Sequence, residues 1–120
     1  MNRPLILIAE DLESNFLFLK IVLQKKYRII WAKDGKEAVE MFEEYSPSLV
    51  LMDIRMPVID GIEATKFIRE INPDVPIIAQ TANAFASDQD KAKDAGCNII
   101  IVKPIKARTL TEAIERFEPL

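Results

Sequence analysis

The sequence of 120 residues contains no histidine and a single cysteine, Cys97. Without histidine, the chain cannot contain a Ser-His-Asp triad, a histidine general base, a zinc site of the usual type or a phospho-histidine. With one cysteine it cannot form an internal disulfide, which favours a reducing compartment such as the cytosol. Any chemistry must therefore use carboxylates, hydroxyls, amines and backbone groups.

Glycine is also scarce, and Gly35, Gly61 and Gly96 are isolated from one another. They form neither a P-loop nor a G-x-G-x-x-G motif, which argues against a nucleotide- or flavin-binding module. No apolar run approaches the roughly 20 residues of a membrane span, and the N-terminus carries no secretory signal. The net charge of −3, without a cluster of Lys and Arg, gives no reason to expect nucleic-acid binding.

The chain has the length of one ordinary domain. Its composition, 49% apolar and 29% charged, is normal for a soluble globular protein. We therefore expect one domain over residues 1–120. Because the sequence stops soon after the last helical segment, this domain could be excised from a longer protein.

Short apolar runs alternate with segments of helical period along the whole chain. The runs cover residues 5–9, 27–32, 48–52, 75–79 and 99–102. Three of them read as near-continuous Ile, Leu and Val, which is typical of parallel strands buried on both faces. The (βα)₅ alternation predicts an α/β fold, a single flavodoxin-like doubly wound parallel sheet with strand order 2-1-3-4-5.

Polar residues follow four of the five apolar runs. Glu10 and Asp11 follow the first, Asp53 the third, Thr81 the fourth and Lys103 the fifth. Ligands of such sheets bind beyond the carboxyl ends of the strands, so we expect these side chains to converge. Three converging carboxylates repel one another unless a cation compensates them. Oxygen ligands without His or Cys suit Mg²⁺.

The same set of residues favours phosphoryl chemistry. The Thr81 hydroxyl and the Lys103 ammonium offer a hydrogen-bond donor and a positive charge to phosphoryl oxygens. A carboxylate can form an acyl phosphate, and Asp53 is the best candidate because it stands alone at the end of a central strand. Glu10 and Asp11 are better placed as metal ligands. One charged residue at a strand end is usually a solvated loop residue, so the prediction depends on the whole set.

At these residues the chain resembles the receiver domains of two-component response regulators, over essentially its full length. The matching segments are residues 5–11 (LILIAED), 51–57 (LMDIRMP), 60–61 (DG), 78–82 (IAQTA) and 103–104 (KP). Asn15 and residues 53–57 and 81–84 are most similar to the receivers of hybrid sensor histidine kinases. The family has a cis peptide bond at this Lys-Pro, so the resemblance implies that the bond between Lys103 and Pro104 is cis.

The resemblance implies a signalling role, with no enzymatic activity beyond the domain's own phosphoryl transfer and hydrolysis. Asp53 would take a phosphoryl group from the phospho-histidine of a histidine kinase or histidine phosphotransfer domain, in a Mg²⁺-dependent reaction. It would then relay the group or change conformation. Two sets of site residues are implied: the Mg²⁺ ligands Glu10, Asp11, Asp53 and the backbone carbonyl of Arg55, and the phosphoryl-oxygen ligands Thr81 and Lys103.

The resemblance also places the domain in the cytoplasm, on the cytosolic side of the membrane if it is part of a hybrid kinase. We expect no membrane insertion and no nucleic acid bound by this domain, and a homodimer is left open. One position departs from the family pattern, because Ile100 stands where many receivers carry Tyr or Phe. The acceptor chemistry is untouched, but the departure argues against a switch that uses an aromatic ring there.

Two alternatives share parts of this pattern. Phosphatases that pass through an aspartyl-phosphate need a second Asp two residues after the nucleophile, where this chain has Arg55, and a cap insertion that 120 residues cannot hold. A degenerate receiver that works by contact alone is disfavoured because all five site side chains are present. Trp31 is interpreted as a packing residue. The apolar excess of residues 14–23 could leave a docking face for the phosphoryl donor.

Overall fold

The computed structural model describes residues 3–82 and 85–120 of the chain. Within them, strands and helices alternate as the sequence predicts. The strands are β1 (Leu5–Ala9), β2 (Arg28–Ala32), β3 (Leu49–Asp53), β4 (Ile77–Thr81) and β5 (Ile99–Val102). The helices are α1 (Glu13–Leu23), α2 (Gly35–Tyr45), α3 (Gly61–Ile71), α4 (Ala86–Ala95) and α5 (Ala107–Glu115). Asn83 and Ala84, part of the segment that resembles hybrid-kinase receivers, lie outside the described residues.

All neighbouring strands are parallel, and their order is β2-β1-β3-β4-β5. The flavodoxin-like doubly wound sheet is therefore confirmed. One apolar cluster packs α2, α3 and α4 on one face of the sheet, and a second packs α1 and α5 on the other. Every residue of β3 and β4 is buried, because both faces of these central strands are covered by helices.

Two helices that flank the site begin at capping aspartates. The Asp34 carboxylate accepts a hydrogen bond from Glu37 N at 2.8 Å, and the Asp60 carboxylate accepts one from Glu63 N at 2.9 Å. Each cap satisfies an N–H that the first helical turn leaves unpaired. A Cβ on Gly61 would lie 2.1 Å from the Asp53 carbonyl oxygen. Glycine therefore lets α3 begin directly against the end of β3.

Strands β3 and β4 have different ends from those that the sequence predicts. β4 begins two residues later than expected, because Pro76 follows a turn in which Asn72 Oδ1 accepts from Val75 N at 3.0 Å. At the other end the strands run further, since Asp53 pairs with Gln80 and Thr81 pairs with Val102 in the ladder. Both site residues are thus the last residues of strands.

Two smaller predictions are also confirmed. Cys97 is buried, and burial raises the pKa of its thiol, so it is a packing residue. The Lys103–Pro104 peptide bond is cis. Among residues 3–82 and 85–120, no helix is long and apolar enough to cross a bilayer.

Candidate functional site

Three carboxyl groups meet at the carboxyl edge of the sheet. Glu10 and Asp11 follow β1, and Asp53 ends the neighbouring strand β3. One oxygen from each lies within 4.8 Å of the others. Glu10 and Asp53 are buried, with 0% and 4% of their surface exposed, whereas Asp11 is open to solvent. The predicted convergence of the three acids is therefore observed.

Burial makes Glu10 an unusual acid. Its pKa is raised from 4.5 to about 8, first by loss of solvent and then by the adjacent Asp53 carboxyl. Its Oε2 atom is buried without a hydrogen-bond partner among the described residues. A buried carboxylate oxygen without a donor is costly, so this position favours either a proton or a metal ion.

Lys103 supplies one positive charge to the acidic cluster. Its Nζ lies 3.0 Å from Asp53 Oδ2 and 3.4 Å from Glu10 Oε1. Burial would lower the pKa of Lys103, but the hydrogen bond and charge of Asp53, followed by those of Glu10, hold it above its ordinary value. The Lys103 backbone N–H donates to the Thr81 carbonyl at 2.7 Å, which ties the residue to the end of β4. One ammonium cannot neutralise three ionised carboxylates.

The remaining predicted site residues surround Asp53. Thr81 is 1% exposed at the end of β4, the strand next to Asp53. Arg55 lies in the turn after β3, where its backbone N–H donates to Asp53 Oδ1 at 3.1 Å. The role of the Arg55 backbone carbonyl as a metal ligand stays a prediction.

The residues present fit a hard divalent cation. The donors are carboxylate oxygens, with neither His nor Cys within the cluster. Mg²⁺ prefers such oxygen donors and usually keeps several of its waters, for which the exposed Asp11 side leaves access. The partnerless Glu10 oxygen and the excess of negative charge are the observations that favour a cation here.

Two residues near the site have surroundings that the sequence did not indicate. The indole Nε1 of Trp31 donates to the Glu10 carbonyl at 2.7 Å. Gln80 is 1% exposed on β4, and its Nε2 is buried without a hydrogen-bond partner in the described part of the chain. A glutamine directly after the fourth apolar run and before Thr81 was the available signal for Gln80. No local signal pointed from Trp31 to Glu10.

A groove of about 460 Å³ lies beside the acidic cluster, on the α1 and α5 face of the sheet. Its lining combines apolar and polar side chains from both ends of the chain: Asn15, Phe18, Leu19, Gln80, Lys103, Pro104 and Ile105. Phe18 is 41% exposed, and its α1 neighbours Leu17 and Ile21 are 44% and 67% exposed. The predicted apolar excess of this helix is thus partly on the surface.

Comparison with known proteins identifies the receiver-domain family that the sequence resembles. The family described as response regulator receiver domain matches residues 6–115. The chain is 40% identical over 115 residues to the autoinducer 2 sensor kinase/phosphatase LuxQ of Vibrio parahaemolyticus. That alignment covers 94% of this chain but 13% of LuxQ, so the chain corresponds to a small part of that protein.

Two solved structures extend the comparison to the fold. The receiver domain of the sensor histidine kinase PA1611 from Pseudomonas aeruginosa, with magnesium in its active-site cleft, superposes with a TM-score of 0.89 at 37% identity, covering 95% of this chain and 96% of that one. The receiver domain of the response regulator Ssk1 from Saccharomyces cerevisiae, in complex with the histidine phosphotransfer protein Ypd1, gives 0.87 at 34% identity, with 94% and 87% covered.

Proposed function

The chain belongs to the response regulator receiver domain family of two-component signalling, and from this premise we propose that it accepts a phosphoryl group on Asp53. The observation that carries the proposal is the environment of this carboxylate. Asp53 ends the central strand, Glu10 and Asp11 oxygens lie within 4.8 Å, and Lys103 Nζ is 3.0 Å away. A nucleophile, an acidic cation site and a fixed positive charge are the parts that phosphoryl transfer needs.

We propose Mg²⁺ as the cofactor of this reaction. Its ligands would be Glu10, Asp11, Asp53 and the backbone carbonyl of Arg55. The donor set supports this assignment, as does the magnesium-bound receiver of PA1611. When bound, Mg²⁺ would offset the charge of the carboxylates and of the phosphoryl oxygens.

The chain's own residues would act around the acceptor oxygen. An Asp53 carboxylate oxygen forms the new bond to phosphorus while the N–P bond of a phospho-histidine breaks, and the imidazole nitrogen keeps the electron pair. Lys103 and Thr81 would donate to the oxygens of the transferred group. Hydrolysis would later return Asp53 to its carboxylate. The domain would therefore catalyse only its own phosphorylation and dephosphorylation, and would not turn over an external substrate.

The phosphoryl donor would be a histidine kinase or a histidine phosphotransfer domain. Because residues 1–120 contain no histidine, the phospho-histidine would come from another domain or another protein. The complex of Ssk1 with Ypd1 supports a partner of this kind. We propose that the exposed apolar side chains of α1, Leu17, Phe18 and Ile21, form part of the surface on which it docks, since Phe18 and Lys103 line the same groove.

Residues 1–120 would act as one receiver domain in the cytoplasm, where a sensor kinase and its phosphotransfer partner operate. The match to a small part of LuxQ supports a place within a sensor kinase. In that setting Asp53 would pass the phosphoryl group onward in a relay. A homodimer and the lack of nucleic-acid binding stay predictions.

Mass spectrometry after incubation with acetyl phosphate and Mg²⁺ tests the proposed acceptor. We expect one added phosphoryl group in the wild type and none in Asp53→Asn. Asp60→Asn is the matched control, because it changes an exposed Asp in the turn after β3 and retains a good N-cap residue. Labelling of Asp53→Asn to the wild-type extent would show that another residue is the acceptor. Transfer from a phosphorylated histidine phosphotransfer domain, measured on the same variants, tests the donor class.

A further inference from the structure

Trp31 lies at the second-last position of β2 and reaches across to the turn that carries Glu10 and Asp11. Its indole Nε1 donates to the Glu10 carbonyl at 2.7 Å. The Glu10 backbone N–H, in turn, donates to the carbonyl of Ala32 at 3.0 Å. Strand β2 therefore holds both backbone polar groups of Glu10.

The register of the sheet shows why a side chain is needed for this contact. Ala9 pairs with Ala32 in the parallel ladder of β1 and β2. The next ladder donor to the Glu10 carbonyl would be the backbone N–H of Asp34. Asp34, however, is the N-cap of α2, and the chain turns away from β1 there. The indole N–H takes the place of the missing ladder donor.

The indole is itself held in a fixed plane. The Phe16 ring of α1 stacks on it at 4.2 Å between centroids with an interplanar angle of 4°. Lys33 Nζ lies 5.0 Å from the centroid of the Trp31 ring. Contacts with both the Phe16 ring and a cation leave the N–H little freedom to point elsewhere.

The Glu10 carbonyl belongs to the planar peptide group that joins Glu10 to Asp11. Fixing the direction of this carbonyl fixes the plane, and with it the position of the Asp11 Cα atom. Glu10 is enclosed by the core, whereas Asp11 is exposed and has no described hydrogen bond from its side chain. The orientation of Asp11 therefore depends on its backbone.

We propose that Trp31 is a positioning residue for the Mg²⁺ site, and this inference rests on the proposed function. Its N–H orients the peptide between Glu10 and Asp11 so that both carboxylates face the cation. Preorganised ligands lose less freedom when the ion binds, so removal of the N–H weakens Mg²⁺ binding. Trp31 itself touches neither the metal nor the phosphoryl group.

A substitution that removes only the hydrogen bond separates positioning from packing. Trp31 is the sole tryptophan of the chain, so replacing tryptophan during biosynthesis changes this site alone. Benzothienylalanine keeps the shape and stacking of the ring but has sulphur in place of the N–H. 5-Fluorotryptophan keeps the N–H and serves as the matched control. Trp31→Phe is a genetically simple variant that retains an aromatic ring without the donor.

Mg²⁺ affinity is measured by isothermal titration calorimetry on the unphosphorylated domain. We expect about threefold to tenfold weaker binding for benzothienylalanine and for Trp31→Phe, the usual consequence of losing one hydrogen bond. The 5-fluorotryptophan protein should bind as tightly as the wild type. In the wild type, the indole N–H resonance and the Asp11 amide resonance should shift along one Mg²⁺ titration curve.

A purely structural role gives a different pattern. The metal-free domain would then unfold at a lower temperature while the Mg²⁺ dissociation constant stayed the same. Equal Mg²⁺ affinity in the benzothienylalanine and 5-fluorotryptophan proteins would overturn the positioning role of Trp31 but not the proposed function. Absence of Mg²⁺ binding by the wild type would overturn the proposed function and, with it, the role of Trp31.

Discussion

Without bound metal, the domain should become less stable as the pH rises, because Glu10 loses its proton in the unfolded state. The Glu10→Gln variant should not show this loss. Glu10 is fully buried, and its pKa in the folded domain is about 8, compared with 4.5 for an exposed carboxyl group. Between these two values the folded state retains the proton while the unfolded state has lost it. The folded state then binds more protons than the unfolded state, so the free energy of unfolding falls with increasing pH.

The size of the effect follows from the same two pKa values. One proton retained on folding changes the free energy of unfolding by about 1.4 kcal/mol per pH unit. From roughly pH 5.5 to 7.5, Glu10 alone should therefore cost the wild type about 2–3 kcal/mol. That is a large part of the roughly 5–15 kcal/mol that stabilises a typical domain. The glutamine side chain of Glu10→Gln has the shape of the protonated acid and does not titrate, so the stability of this variant should not show the same fall.

Urea unfolding in the presence of EDTA measures the difference, because chelation keeps divalent cations from holding Glu10 ionised. The gap in free energy between Glu10→Gln and the wild type should widen by about 2–3 kcal/mol over this range of pH. Glu44→Gln is the matched control, since Glu44 is exposed and makes no described hydrogen bond or ion pair. Parallel curves for Glu10→Gln and the wild type would refute the reasoning that Glu10 is protonated in the fold. With saturating Mg²⁺, the wild type should gain more stability than Glu10→Gln.

Two further substitutions test the groups that flank the acidic cluster. Lys103→Met should weaken binding of the phosphoryl mimic beryllofluoride by tenfold or more, because it removes a charge-assisted donor that lies 3.0 Å from Asp53. Fluorine NMR titration measures it, with the exposed Lys106→Met as control, and unchanged binding would remove Lys103 from the site. Gln80→Leu should raise the free energy of unfolding by about 1–2 kcal/mol, because the buried amide Nε2 has no described hydrogen-bond partner. A loss of stability in urea unfolding would show that this amide is hydrogen-bonded in solution.

The fold and the residues of the acidic cluster could be predicted because each depends on a pattern that is local in the sequence. The alternation of apolar runs with helical segments restricts the chain to few parallel topologies, and β2-β1-β3-β4-β5 is one of them. In a parallel sheet all carboxyl ends meet at one edge, so residues that follow the runs must approach one another. The positions of Glu10, Asp11, Asp53 and Lys103 were predictable for this reason.

The exact strand ends were less predictable because they depend on competition between neighbouring groups. Pro76 lacks an N–H, and the Asn72 side chain accepts from Val75, which delays the start of β4. Pairing with β5 then extends the strand through Thr81. Neither the turn before β4 nor its pairing with β5 can be inferred from the apolar run itself.

The sequence by itself thus determined the class of fold, the order of the strands and the residues that meet at the acidic cluster, because spacing and residue type are sufficient for these. Only the tertiary structure decided the properties that depend on contacts between distant residues. Burial beside Asp53 sets the pKa of Glu10, and the hydrogen bond from Trp31, 21 residues further along the chain, holds the Glu10 peptide. The pKa of a carboxyl group and the orientation of a peptide depend on solvent exclusion and on three-dimensional distance. A linear pattern of residues contains neither.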